Sequence, residues 1–501
     1  MTYDFNFPTT RLPPGCDTRA EQSLLGAILT NSAAYERVAD FLHPEHFYDP
    51  LHGKIYSGMQ QLINAGRVAD PITLRHFFAN DPDFDSCGPH YIAGLLSAMV
   101  GIVNAGDYGR LIMDGWMRRQ MIAAAADLHE RCYAGDDDDG AMGVLEEFEA
   151  RLSRVAEGAG DVAPVTEAGE AIHQALALTA AALERDDGLA GASTGYRALD
   201  RMTGGLLPGK VYLLAGRPSM GKTGIGLGIA TRAAAAGLPA LYWSGEMGPD
   251  QLGARMAAAW AGLNTTSVFN GRRFDPHPDS DISTMERLTP QEFDRLLAGE
   301  KAAKKLPLYF DTRAGITVAK LRARARRLKR TKKLGLLVID YIGLMRASTH
   351  MEGRGKYEQV SEISKGLKLL AMELNIPIIV LSQLSRETEK REDKRPQMQD
   401  LRDSGSLEED ADVIMLLHRP HYYLTRMGEP VKRDKETADT FQARLEEWRN
   451  EVEATKGLAR LVLAKNRQGP TGPTELRFVE ETTWFFDKSD GEYAAAWADT
   501  F

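Results

Sequence analysis

The octapeptide GRPSMGKT, residues 216 to 223, has the residue types and spacing of a phosphate-binding loop. It places two glycines, a lysine and a hydroxyl residue in the order G-x-x-x-x-G-K-[ST], after the apolar run VYLLA and before the helix-like run GIGLGIATRAAAA. Backbone N–H groups in such a loop cradle phosphate oxygens, and the helix start adds positive potential. The spacing predicts a nucleoside triphosphate site, and the alternative is a glycine-rich turn that only joins two elements.

Five residues of this loop are the predicted nucleotide ligands. The backbone around Gly216, Ser219 and Gly221 would surround the phosphate oxygens. Lys222 would add a full positive charge, and Thr223 would offer its hydroxyl to Mg²⁺. The expected cofactors at this point are therefore a nucleoside triphosphate and Mg²⁺.

Polar residues also follow three other apolar runs: Glu246 after LYWSG, Asp340 after LLVI and Gln383 after IIVLS. Ligands of open α/β sheets lie at the carboxyl ends of strands, so these side chains are candidates for one site. Asp340 would serve on the Mg²⁺ side, Glu246 would orient the attacking water, and Gln383 would contact the terminal phosphate. The alternative for an acid at such a position is an N-cap of the next helix.

Two cations stand in the turn KNRQGPTG, residues 465 to 472, far along the chain from the phosphate loop. An arginine that stabilises charge on a transferring phosphate can come from a neighbouring subunit, and Arg467, with Lys465 beside it, is the candidate. A basic hairpin turn without that role is the alternative.

Seven short apolar runs predict strands in the second half of the chain. β-Branched runs of this length, separated by helical stretches, indicate a mostly parallel sheet covered on both faces. The runs are KVYLLAG, PALYWSGE, LPLYFDT, LGLLVIDY, IPIIVLSQ, ADVIMLLHR and LARLVLAKN.

The first half of the chain instead shows the apolar spacing of amphipathic helices. We predict a tail over residues 1–16 and an all-helical domain with a helical hairpin over 17–156. Residues 157–191 are rich in Ala, Gly and acids, which predicts a linker with one helix near 165–184. The α/β domain would then occupy 192–501, so the fold class is α + α/β.

Bulk composition is that of a globular protein, with 43% hydrophobic and 26% charged residues in a chain of 501. No run of about 18 apolar residues occurs, so we expect a cytoplasmic location and no membrane partner. Cys16, Cys87 and Cys132 are far apart, which indicates neither a disulfide framework nor a zinc site. A net charge of −9 excludes a surface coated in positive charge but permits a local basic channel.

The motifs of both halves of the chain, taken together, resemble those of the bacterial replicative DNA helicases of the DnaB type, whose motor has a RecA-like core. The resemblance covers nearly the whole chain and is most specific in GRPSMGKT, LLVIDYIGLM and residues 381–419. It implies a homohexameric ring that hydrolyses ATP, encircles one DNA strand and moves 5′ to 3′ to unwind forked DNA. Primase and a helicase loader are the implied partners, the helical domain is the implied collar, and the linker helix would join neighbouring subunits.

The resemblance also gives each candidate residue a role by position. Lys222 and Thr223 match the phosphate and magnesium residues, Glu246 the catalytic carboxylate, Asp340 the second acid, Gln383 the phosphate sensor, Arg467 the arginine finger with Lys465 beside it, and Arg255 another arginine near the nucleotide.

In LRDSGS, Arg402, Asp403 and Gly405 match the central loop that tracks single-stranded DNA. Backbone N–H groups of a glycine-containing turn, aided by an arginine, bind phosphates without reading bases. Two further basic segments lie elsewhere in the second half of the chain. Residues 320–333 are expected to form an amphipathic helix with a solvated cationic face, whereas 353–359 could be a second pore loop or an ordinary turn.

The sequence departs from the family pattern at three places. Gly343 stands where the family usually carries glutamine. Residues 271–288 and 428–457 look like insertions, and the charged, helix-forming second one predicts an added surface hairpin.

Two alternatives to the helicase stay open at this level. One is another DNA-dependent ATPase with a RecA core, acting in recombination or branch migration. The other is a scaffold that binds ATP without moving and recruits primase. The helical first domain and LRDSGS argue against the former, and the presence of Glu246, Asp340 and Arg467 argues against the latter.

Overall fold

The computed structural model divides into two compact units, Met1–Glu167 and Ala168–Phe501. The predicted tail, the aspartates of the acidic turn at 136–139 and the carboxyl terminus lie outside the described residues. The residues described are 18–79, 91–98, 104–134, 140–158, 166–273, 285–348, 351, 353–391, 393–434 and 436–488.

Helices build all the regular structure of the first unit's described residues, so the predicted all-helical class is confirmed. The predicted stripe around Leu24, Ile28 and Val38 is fully buried in its core. The helix that begins at Pro71 is capped by Asp70, whose carboxylate accepts from two backbone N–H groups. The helices are α1 (Arg19–Thr30), α2 (Ala33–Glu36), α3 (Pro50–Asn64), α4 (Pro71–Phe77), α5 (91–97), α6 (Ala105–Ala134) and α7 (Gly140–Gly158).

A single sheet organises the described part of the second unit, in the order β3-β2-β4-β5-β1-β6-β7-β8-β9. Its first six strands are parallel, and β7, β8 and β9 are antiparallel to their neighbours. All seven predicted strands are present, and β8 and β9 were not predicted. The strands are β1 (Val211–Gly216), β2 (Ala240–Ser244), β3 (Leu308–Asp311), β4 (Leu336–Asp340), β5 (Ile378–Gln383), β6 (Val413–His418), β7 (Leu458–Asn466), β8 (Gly472–Val479) and β9 (Trp484–Asp487).

Helices cover both faces of this sheet, which explains why its six parallel strands are almost wholly apolar. Along β1, Tyr212 and Leu214 join one buried cluster and Leu213 joins the other. The helices are α8 (Ala168–Leu183), α9 (Arg197–Thr203), α10 (Lys222–Ala235), α11 (Pro249–Ala261), α12 (Thr265–Asn270), α13 (Pro290–Ala303), α14 (Val318–Lys332), α15 (Lys356–Leu374), α16 (Gly405–Asp410), α17 (Pro420–Met427) and α18 (Ala438–Thr455).

Four segments singled out in the sequence take these forms. The predicted linker contains α8, and the basic segment forms most of α14, which buries Leu321 and Ala325. Residues 428–457 contain α18. The 271–288 segment is closed at its base by a bridge between Arg272 and Arg287, and its middle lies outside the described residues. No helix within the described ranges combines the length and the apolar character needed to cross a bilayer.

Candidate active site

The phosphate loop joins the end of β1 at Gly216 to the start of α10 at Lys222. Two of its residues have left-handed backbone, with φ of 66° at Ser219 and 95° at Gly221. A Cβ at Gly221 would also lie 2.8 Å from the ring of Phe485, so this position needs glycine for both conformation and space. The loop therefore has the tight geometry that brings backbone N–H groups toward a phosphate.

Lys222 directs its ammonium back along this loop. Its Nζ donates to the carbonyls of Gly216 at 2.9 Å and Arg217 at 3.2 Å. Burial lowers the pKa of Lys222 to about 8, while the nearby carboxylates of Asp340 and Glu246 act to raise it. The structure thus gathers one partly buried cation and two acids around the loop.

Asp340 ends β4 and is 3% exposed. Its Oδ2 accepts a hydrogen bond of 2.7 Å from the phenol of Tyr242, and its carboxylate also bonds with the Thr223 hydroxyl. Burial raises the pKa of Asp340, while these two hydrogen bonds and the charge of Lys222 oppose the rise. Carboxylate and hydroxyl oxygens are the ligands that Mg²⁺ takes beside nucleotide phosphates, so the Thr223–Asp340 pair fits that ion.

Neighbouring strands bring the remaining nucleotide candidates to the same edge of the sheet. Asp340 lies opposite Ser244, two residues before Glu246, and Gln383 lies opposite Gly216. Glu246 and Gln383 are exposed there. Arg255, on α11, is half-buried and its charge acts on Tyr242, whose pKa burial and Asp340 raise well above its usual value.

Lys465 and Arg467 lie at the opposite edge of the sheet. Asn466 pairs with Val413, the first residue of β6, so this turn adjoins the amino ends of the parallel strands. Nζ of Lys465 and a guanidinium N–H of Arg467 donate to the backbone carbonyls of Glu408 and Glu409, at the end of α16. Within one chain the structure does not bring these cations to the phosphate loop.

The predicted DNA residues lie between β5 and β6. Arg402 and Asp403 belong to the 3₁₀ segment Met398–Ser404, and Gly405 begins α16; the side chains of Arg402 and Asp403 are outside the described atoms. A Cβ at Gly405 would be 3.3 Å from the hydroxyl of Tyr357, which is 53% exposed. Residues 353–359, left open by the sequence, therefore adjoin this loop.

Gly343 has a local structural reason. A Cβ at this position would lie 2.7 Å from the ring of Tyr341, which packs over it. Any larger residue, glutamine included, would require Tyr341 to move.

Residues 191–487 match the family described as the DnaB-like helicase C terminal domain, and residues 14–114 match the DnaB-like helicase N terminal domain. The first match alone spans more than half of the chain. The chain belongs to the DnaB-like helicase family.

Relatives support the DnaB-like assignment along nearly the full length. The chain is 34% identical to the replicative DNA helicase DnaB of Rickettsia bellii over 94% of this chain and 92% of that protein. It is 31% identical to the DnaB of Geobacillus stearothermophilus, over 95% of each. A solved DnaB-like replicative helicase, described with its interactions with primase, is 26% identical, covers 94% of this chain and all of its own, and superimposes with a TM-score of 0.66.

These matches confirm the predicted family, the RecA-like ATPase domain and the class of enzyme, an ATP-dependent replicative DNA helicase. They favour the helicase over the recombination ATPase and the scaffold. The roles of individual residues in this DnaB-like chain stay predictions.

Arg419 is a residue of this DnaB-like site that the sequence analysis missed. It follows β6, is 5% exposed, donates to the carbonyl of Ser219 at 3.1 Å and lies 3.7 Å from the ring centre of Phe478. These contacts brace the phosphate loop from the side. Extending the strand-end rule to LLHR would have identified Arg419.

Proposed function

We propose that this chain is the subunit of a homohexameric ring that uses ATP and Mg²⁺ to move 5′ to 3′ on single-stranded DNA and unwind forked DNA. The observation that carries the proposal is the separation of two half-sites on one sheet. The phosphate loop lies at the carboxyl edge and Arg467 at the amino edge, roughly 16 Å apart along β1 at about 3.3 Å per residue.

Half-sites on opposite edges suit head-to-tail assembly, because each subunit then completes the site of its neighbour. Arg467 cannot serve its own phosphate loop across the width of the sheet. In a ring it would supply positive charge to the terminal phosphate bound by the next subunit, with Lys465 beside it. A closed ring leaves no unpaired half-site.

The exposed apolar face of α8 is a further argument for assembly with a neighbouring subunit. None of its described side chains is buried, and Ile172, Leu176 and Leu183, which share one face, are 62%, 60% and 82% exposed. An apolar stripe of this kind marks an interaction surface. We assign α8 to the linker, residues 157–191, between a collar over 17–156 and a motor over 192–501.

The nucleotide half-site divides the chemistry among its residues. Lys222 and the loop backbone hold the phosphates, and Thr223 and Asp340 hold Mg²⁺, which neutralises developing phosphate charge. Glu246 orients the attacking water, Gln383 contacts the terminal phosphate, and Arg255 adds charge near them. The last three are exposed or half-buried, as groups that meet a substrate should be.

The DNA contacts lie in the loop of Arg402, Asp403 and Gly405. Its backbone and arginine would bind phosphates, and Tyr357, beside Gly405, offers an exposed ring on which a base can stack. Both contacts ignore base sequence, which suits a replicative motor.

Primase and a helicase loader are the proposed protein partners, and the helical first unit is their proposed docking domain. The solved relative described with primase supports the first of these. A cytoplasmic location follows from a role in replication.

Mixing two inactive variants tests the shared site. Lys222→Ala and Arg467→Ala should each abolish ATP hydrolysis, because each removes one half of every site. In mixed rings roughly a quarter of the interfaces would pair an intact Lys222 with an intact Arg467, so turnover should partly return. Two variants that stay inactive when co-assembled, with mixing verified by native mass spectrometry, would contradict a site completed by the neighbour.

A further inference from the structure

The arginine of the phosphate loop, Arg217, directs its guanidinium toward the segment that follows β5 and is 6% exposed. One guanidinium N–H donates to the carbonyl of Leu384 at 2.8 Å. Two others donate to Oε1 of Glu389 at 3.1 and 2.8 Å. Arg217 therefore clamps the segment that directly follows Gln383.

This segment is a compact turn rather than a loose loop. Residues Arg386–Lys390 form a 3₁₀ segment capped by the hydroxyl of Ser385. Thr388 is fully buried and donates to the carbonyl of Ser385 at 3.0 Å. The turn can consequently move as one body.

The far side of the turn is tied to the start of the predicted DNA loop. Arg391 donates to a carboxylate oxygen of Asp400 at 2.6 Å, and the N–H of Ser385 donates to the carbonyl of Asp400 at 2.9 Å. Asp400 is 5% exposed and lies two residues before Arg402. Hydrogen bonds and short backbone segments thus connect the phosphate loop to the predicted DNA loop.

The Arg217–Glu389 pair has the wrong setting for a major stabilising contact. The side chain of Glu389 is 46% exposed, and ion pairs open to solvent add little to folding stability. The pair instead fixes the position of the turn relative to the phosphate loop, because it adds a second contact beyond the one at Leu384.

We propose that Arg217 and Glu389 are positioning residues that hold the DNA loop in register with the nucleotide site. The inference rests on the proposed function. When the terminal phosphate leaves, Gln383 moves, and the anchored turn transmits this movement to Asp400. Without Glu389 the turn pivots on Leu384 alone, and the displacement is lost before it reaches the DNA loop.

Substitution of Glu389 in the full-length protein tests this role, with ATP, Mg²⁺ and oligothymidylate as ligands. Glu389→Ala should leave nucleotide affinity, KM for ATP and basal turnover unchanged. Its stimulation by single strands should fall about tenfold, within the roughly 5- to 150-fold range of couplings between sites. Glu389→Gln, which keeps an acceptor oxygen for Arg217, should restore part of the stimulation.

The matched control is Glu387→Ala on the same turn. Glu387 is exposed and pairs only with Lys390 in the described contacts, at 2.6 Å. This variant should behave as wild type. Equal loss in both variants would indicate a general weakening of the turn and would overturn the inference.

DNA binding gives a second readout that does not depend on turnover. Fluorescence anisotropy of labelled oligothymidylate should distinguish the ADP state of the wild type from its state with a non-hydrolysable ATP analogue. Glu389→Ala should bind DNA equally in both states. If Glu389→Ala keeps the wild-type difference in DNA affinity and the wild-type stimulation, only this inference is overturned. If single-stranded DNA does not stimulate even the wild type, the proposed function is overturned as well.

Discussion

Tyr242 fixes the carboxylate of Asp340 in an environment that disfavours a charge. Burial alone pushes Asp340 toward its protonated form, which is a poor ligand for a cation. The phenol of Tyr242 compensates by donating to one oxygen at 2.7 Å, which also sets the orientation of the other oxygen. Tyr242 is therefore a positioning residue for the proposed Mg²⁺ site.

Tyr242→Phe should weaken the response to Mg²⁺. A hydrogen bond to a charged group is worth about 1.5–3 kcal/mol, and about 1.4 kcal/mol is a tenfold change. We expect the Mg²⁺ concentration for half-maximal binding of a fluorescent ATP analogue to rise about tenfold. The control is Tyr212→Phe, whose buried hydroxyl bonds only to the backbone of Gly205 and Leu207 in the described contacts. An unchanged Mg²⁺ dependence in Tyr242→Phe would refute the positioning role.

At the scale of elements, apolar patterns in the sequence predicted the strands that are buried on both faces. Six of the seven apolar runs became the parallel strands, because a parallel sheet covered on both faces leaves few polar positions, and the seventh became the antiparallel strand β7. β8 and β9 were missed because exposed residues interrupt β8, at Pro473 and Arg477, and because β9 has only four residues.

The sequence predicted only those residues of the candidate site that directly follow a strand. Glu246, Asp340 and Gln383 follow apolar runs, and parallel strands bring such positions together. Tyr242 lies inside an apolar run, where its hydroxyl gives no signal of its own. The contact with Asp340 follows from the pairing of β2 with β4, which the sequence does not specify.

The added helix α18 is expected to be dispensable for folding. Thr455 is its one buried residue, and its large side chains are only half-buried. Replacing residues 432–453 by a short Gly-Ser linker should lower Tm by less than about 3 °C, since each kcal/mol shifts Tm by about 2–4 °C. Leu321→Ala in α14 is the contrast, because emptying that fully buried position costs about 2–5 kcal/mol. A larger loss of Tm from the linker than from Leu321→Ala would show that α18 is part of the core.

At the scale of the whole molecule, the proposed DNA loop is held from both ends. Its first end is tied through Asp400 and Glu389 to the phosphate loop of its own chain. Its last end continues into α16, whose terminal carbonyls bond to Lys465 and Arg467. In the proposed ring those cations serve the next nucleotide site, so each DNA loop would respond to two sites.

The most direct test is unwinding of a forked duplex by the purified protein with ATP and Mg²⁺, comparing forks that carry only a 5′ tail or only a 3′ tail, beside Lys222→Ala. The account predicts unwinding that requires the 5′ tail and disappears in the variant. Unwinding that requires the 3′ tail, or that persists in Lys222→Ala, would contradict it.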